Sequence, residues 1–188
     1  LPDIVYITIK YEWGLLTFLL QSKRSNQTSL FMKIYVMRHG EAQVSAANDM
    51  QRALTPFGQE QSRASAQWLQ STYLGDRVID RALVSPYLRT KQTFAELSAT
   101  LKVSEVEYTK DIIPSGIVTL AHDYLDTCLD ATPNTQNVLF VSHMPFVSYF
   151  VDVLCGRSDS PLFATGAIAV IEYDIASKQG ILEAHFQG

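Results

Sequence analysis

The chain has 188 residues, a formal net charge of −4, 47% apolar residues and 18% charged residues. That balance suits one soluble globular domain and excludes a disordered or fibrous chain. A mildly acidic protein also has no bulk attraction for nucleic acid, so none is expected as a partner.

The first 31 residues read differently from the rest. The apolar run WGLLTFLL (13–20) is too short to cross a bilayer and lacks the flanks of a signal peptide. The polar stretch QSKRSNQTS (21–29) has linker composition. Met32 stands directly before the first strand-like run. We therefore expect residues 1–31 to be a non-native or disordered extension and residues 32–188 to form a single domain that needs no membrane.

From there apolar, β-branched runs alternate with helical patterns. KIYVM (33–37), RALVS (81–85), NVLFVS (137–142), AIAVIEYD (167–174) and ILEAHF (181–186) read as strands, and VSEVEYT (103–109) as a weaker one. Thr55-Pro56 opens a helix to about residue 71, with Phe57, Ala64 and Trp68 on one face. Ser85-Pro86 carries the same start signal, and Thr90, Phe94, Leu97 and Leu101 then form a buried stripe. Further helices are expected over 117–129 and from Pro145 to Cys155, the latter stopped by Gly156. This order predicts an α/β fold whose mostly parallel sheet is covered on both faces, with an antiparallel hairpin at its edge. Cys128 and Cys155 fall in apolar helical segments without metal spacing, so they are read as buried thiols of a reducing compartment.

In such sheets ligands gather beyond the carboxyl ends of the strands. Three runs end in chemistry there: KIYVM in Arg38, His39 and Gly40, RALVS in Pro86 and then Arg89, and NVLFVS in His143 and Pro145. Each residue alone is more often a solvated charge or a structural histidine. Together they suit a phosphoryl group, because guanidinium forks bind its oxygens in pairs and a neutral imidazole is a competent nucleophile near pH 7. Arg52, in the loop before the first helix, is a further candidate for binding substrate. Asp49 could orient it or donate a proton, while Glu41 has no clear task. No metal-ligand cluster and no glycine-rich phosphate loop accompanies these residues, so no metal or cofactor is expected.

MRHGEA (37–42), LTPFGQEQ (54–61), VSPYLRTKQT (84–93) and VSHMP (141–145) together resemble the histidine phosphatase superfamily in order and spacing. The resemblance implies the three-layer α/β/α sandwich of the phosphoglycerate mutase-like fold. It also implies His39 as the nucleophile that becomes phosphohistidine, with Arg38, Arg89 and His143 completing the phosphate pocket. The chain is most similar to the small SixA-type phosphohistidine phosphatases. The Trp-Asn element of the mutases is missing after Ala42, and the interval between Arg89 and His143 leaves no room for a long lid. Asp49, Glu105 and Glu107 remain open as a general acid.

The function so implied is hydrolysis of phosphohistidine on a phosphotransfer protein, by a cytoplasmic monomer with an open cleft. A small-molecule phosphomonoesterase and a non-enzymatic phosphohistidine-binding module are the rival readings.

Overall fold

The computed structural model describes residues 5–11, 14–20, 31–159 and 162–188, with side chains described from Phe31 onward. The chain divides into two units, residues 1–30 and 31–188. In the first, β1 (Val5–Tyr11) and β2 (Gly14–Leu20) pair antiparallel. The linker-like stretch 21–29 lies outside the described residues. Phe31 already belongs to the first strand of the second unit, one residue ahead of the expected boundary.

The second unit contains β3 (Phe31–Arg38), α1 (Pro56–Leu69), β4 (Ile79–Val84), α2 (Leu88–Ser98), β5 (Val103–Tyr108), α3 (Val118–Ala131), β6 (Asn137–Ser142), α4 (Phe146–Cys155), β7 (Ile168–Asp174) and β8 (Gln179–Phe186). Its six-stranded sheet has the order β5-β4-β6-β3-β7-β8. The first four strands are mutually parallel, and β7 and β8 run antiparallel at the far edge. This is the expected α/β/α sandwich.

The layering follows from the period-2 alternation of a strand. In β3, Met32, Ile34 and Val36 enter a core with Ala121, Leu125 and Leu129 of α3 and Phe146, Phe150 and Leu154 of α4. Tyr35 and Met37 face the other way, into a core with Ala66 and Leu69 of α1 and Phe94 and Leu97 of α2. Since both faces of β3 are covered, its run Ile34–Met37 is fully buried, and the charged residues Lys33 and Arg38 flank that run, Arg38 at the carboxyl end.

Two helices differ from the sequence reading. The stripe expected on α1 is not the buried one: Phe57 and Ala64 face solvent, and Gly58, Ser62, Ser65, Ala66 and Leu69 are buried. A hydropathy pattern overlooks small polar residues, yet these bury without penalty because each hydroxyl finds a carbonyl. Ser62 Oγ donates to Gly58 O at 2.7 Å and Ser65 Oγ to Gly166 O at 2.7 Å. The second helix begins at Leu88 after Tyr87, and the Ser85 hydroxyl is not its cap. That hydroxyl is used elsewhere, as shown below. The stripe Thr90, Phe94, Leu97 and Leu101 is buried as expected. In α4, Gly156 closes the helix in the left-handed region at φ 60°. Both cysteines are free thiols and only partly buried. Among the described residues no helix is long and apolar enough to cross a membrane.

Candidate active site

Arg38, His39, Arg89 and His143 converge at the carboxyl ends of β3, β4 and β6. The parallel register brings them together, since Arg38 pairs with Ser142 across β3 and β6 and Val84 pairs with Val141 across β4 and β6. The His39 amide continues the ladder by donating to Ser142 O at 3.0 Å. The turn that follows needs close approach. A Cβ on Gly40 would sit 2.1 Å from Gly58 O, and one on Gly58 would sit 2.0 Å from Glu41 O. The two glycines press the first turn of α1 against the loop bearing His39. The Gly40 amide donates to Thr93 Oγ1 at 3.1 Å, which ties the same loop to α2.

His39 is 7% exposed. Its Nδ1 lies 2.7 Å from Gly40 O and its Nε2 accepts from Arg89 Nε at 3.1 Å. A carbonyl can only accept, so Nδ1 carries the proton and the Nε2 lone pair faces the arginine. Burial pushes the imidazole pKa down to about 3, and Arg89, Arg38 and Arg52 add to the shift against the opposing Gly40 bond. The ring is therefore neutral at physiological pH.

His143 stands edge-on to His39, with ring centroids 5.1 Å apart. Burial, then His39 and the two arginines, push its pKa down to about 2. Its Nε2 lies 2.7 Å from Ser85 Oγ, and Tyr87 packs edge-on against its ring. Tyr87 also lies 4.7 Å beneath the Arg89 guanidinium. Two polar atoms of the cluster, Arg38 Nε and His143 Nδ1, are buried without a hydrogen-bond partner. Arg38 is otherwise fixed by donation from Nη1 to Phe163 O at 2.7 Å. Buried, unpaired polar atoms beside two guanidinium groups are what an oxyanion would satisfy.

Arg52 reaches the cluster indirectly. Its Nη1 pairs with Asp49 Oδ1 at 3.1 Å and its Nε donates to Gln43 O at 2.6 Å. Asp49 in turn pairs with Arg89 at 3.1 Å. Burial opposes ionisation of Asp49, but the hydrogen bonds from Arg89 and Arg52 outweigh it and hold the carboxyl below its usual range. At neutral pH it has no proton to donate. Glu105 and Glu107 are occupied on the outer strand: Glu105 pairs with Arg81, and Glu107 accepts from Tyr124. Glu41 is exposed and accepts from Thr55 Oγ1 at 2.8 Å, so it braces the start of α1. His122 hydrogen-bonds Tyr173 away from the cluster. A groove of about 600 Å³ lined by Phe94 and residues 98–106 opens near the amino end of β5, remote from these groups. Among the described residues no group of three or more His, Cys, Asp or Glu could hold a metal ion.

Sequence reasoning missed Ser85, Tyr87, Thr93 and Phe163. Three of them lie within VSPYLRTKQT, so spacing around Arg89 was an available signal. Phe163 contributes only a backbone carbonyl, which no side-chain pattern reveals.

The sequence matches the histidine phosphatase superfamily (branch 1) over residues 34–113. It is 39% identical over 145 residues to the phosphohistidine phosphatase SixA of Escherichia coli, covering 76% of this chain and 86% of that protein. The chain belongs to the histidine phosphatase superfamily. A SixA homolog of Haemophilus influenzae is 36% identical over 149 residues, covering 76% of this chain and 89% of that protein. Among solved structures, the protein histidine phosphatase SixA complexed with tungstate aligns at 36% identity and a TM-score of 0.76, covering 83% of this chain and 97% of that one. Membership accounts for the order of the four motifs, each of which delivers a residue to the cluster or packs a helix against it.

Proposed function

We propose that this chain is a protein phosphohistidine phosphatase that works through a phosphohistidine on His39. The single observation that carries the reading is the state of His39, a buried neutral imidazole with Nδ1–H on Gly40 O and the Nε2 lone pair on Arg89 Nε. The names of its SixA relatives support phosphohistidine as the substrate. Tungstate, a tetrahedral oxyanion found with one of them, supports an anion pocket.

The incoming phosphoryl group takes over the Arg89 donors, and Arg38 completes its charge neutralisation. His39 Nε2 attacks phosphorus as the bond to the substrate's ring nitrogen breaks. The substrate imidazole, protonated on its other nitrogen, leaves neutral, so a carboxylic acid donor is not required. Water then attacks phosphorus, the bond to Nε2 breaks, and inorganic phosphate leaves with the water's oxygen. With the Ser85 hydroxyl donating to Nε2 of His143, Nδ1 of that ring carries a proton for a phosphoryl oxygen. The substrate is a histidine-phosphorylated phosphotransfer protein, and the enzyme acts as a cytoplasmic monomer.

The test is incubation with a radiolabelled phosphohistidine phosphotransfer domain, with label mapped on the enzyme and released phosphate counted. Label is expected on His39 and release is expected to vanish in His39→Ala. Full release by His39→Ala, or faster turnover of sugar phosphates than of the phosphoprotein, would defeat the proposal.

A further inference from the structure

Arg89 is 4% exposed, and a carboxylate stands over it. Arg89 Nε is engaged by His39 Nε2 at 3.1 Å. Nη1 donates to Asp49 O at 2.6 Å and lies 3.4 Å from Asp49 Oδ1, and Nη2 donates to Asp49 Oδ2 at 3.1 Å. The two carboxylate oxygens thus straddle the outer fork of the guanidinium, where two phosphoryl oxygens would bind. Arg52 holds the same carboxylate from its other side at 3.1 Å.

We propose that Asp49 is an internal anion that occupies the arginine cage at rest and is displaced from it by the phosphoryl group, making it a specificity-determining residue. This rests on reading the cluster as a phosphate site. The Asp49 side chain is 54% exposed and sits in a three-residue turn, Asp49–Gln51, whose amide cap comes from Asn48. The two arginines hold the carboxylate, and it can turn outward while Asp49 O keeps Arg89 in place. A buried guanidinium without a counter-charge is costly, and the carboxylate offsets that cost between turnovers. A ligand must therefore bind Arg89 better than a carboxylate does, and must tolerate a displaced negative charge nearby. A doubly charged tetrahedral oxyanion with several acceptor oxygens does so, and a monoanion such as acetate does not.

The experiment is calorimetric titration of the full chain with tungstate, comparing wild type, Asp49→Asn, Asp49→Ser and Asp130→Asn, with melting curves to confirm folding. Asp130 is an exposed carboxylate at the far end of α3 and controls for net charge. Both Asp49 variants are expected to bind tungstate roughly tenfold more tightly than wild type, because competition and like-charge repulsion are removed together. They are also expected to gain measurable acetate binding, while Asp130→Asn matches wild type. Unchanged affinity in the Asp49 variants overturns the proposal. So does an equal gain in Asp130→Asn. Weaker binding also overturns it and would make Asp49 a strut that positions Arg89. If no protein binds tungstate at all, the phosphate-site reading fails as well, and the two failures are thereby distinguished.

Discussion

The two buried histidines tie the stability of the fold to pH in a way that can be worked out in advance. In the unfolded chain each imidazole titrates near pH 6.5. In the folded protein His39 stays neutral to about pH 3 and His143 to about pH 2, chiefly through burial. Between those limits the unfolded state binds more protons, so stability is complete above pH 6.5 and falls as pH drops. Each fully neutral histidine contributes a slope of about 1.4 kcal/mol per pH unit, and the two together about 2.7 kcal/mol per pH unit at most. His185, half-buried and also shifted downward by burial, adds to the same trend. A carboxylate held low by arginines, such as Asp49, loses stability in the same direction, but only as pH falls into the carboxylate range at the acid end of this window. A domain stabilised by about 5–15 kcal/mol would then lose much of its stability by about pH 4.5. Urea unfolding at half-unit steps from pH 7.5 to 4.5 reads the slope directly. His39→Gln is expected to reduce it by up to half, because glutamine does not titrate. A stability curve that is flat from pH 7 to 5, or a slope unchanged in both His39→Gln and His143→Gln, would show that these rings are not held neutral and would refute the reasoning.

Two further outcomes are expected. Gly58→Ala should destabilise the protein by about 1–3 kcal/mol and lower phosphatase activity more than proportionally, because the added Cβ would meet the Glu41 carbonyl beside the loop bearing His39; thermal melts and initial rates on the same sample check it. Ser85→Ala should leave the buried Nε2 of His143 without its partner, at a cost of about 1–3 kcal/mol. Nitrogen chemical shifts should then show the His143 ring changing tautomer, which a purely packing role for Ser85 would not produce.

Much of the site was legible in the sequence because its signals are local. Arg38, His39 and Gly40 follow an apolar run, Arg89 sits at a fixed distance from Ser85-Pro86, and His143 follows another apolar run. Strand alternation with helices also sufficed for the layered α/β architecture, since covering a parallel sheet on both faces forces continuous apolar strands. The face of α1 was misread because Ser62 and Ser65 do not look buried until their carbonyl partners are known. Ser85 was misread for a similar reason: a serine before a proline signals a helix start locally, while its real partner is 58 residues away.

The sequence by itself determined which chemical groups are present and that they end separate strands. Only the tertiary structure decided that β6 lies between β3 and β4, which sets His143 between the other two motifs. It also decided the protonation of His39, because burial and the Gly40 and Arg89 contacts arise only on folding. The part of Asp49 belongs to the same class. Its carboxylate is an ordinary loop charge in the sequence, and it becomes the occupant of the arginine fork because the Asn48–Arg52 turn folds over Arg89.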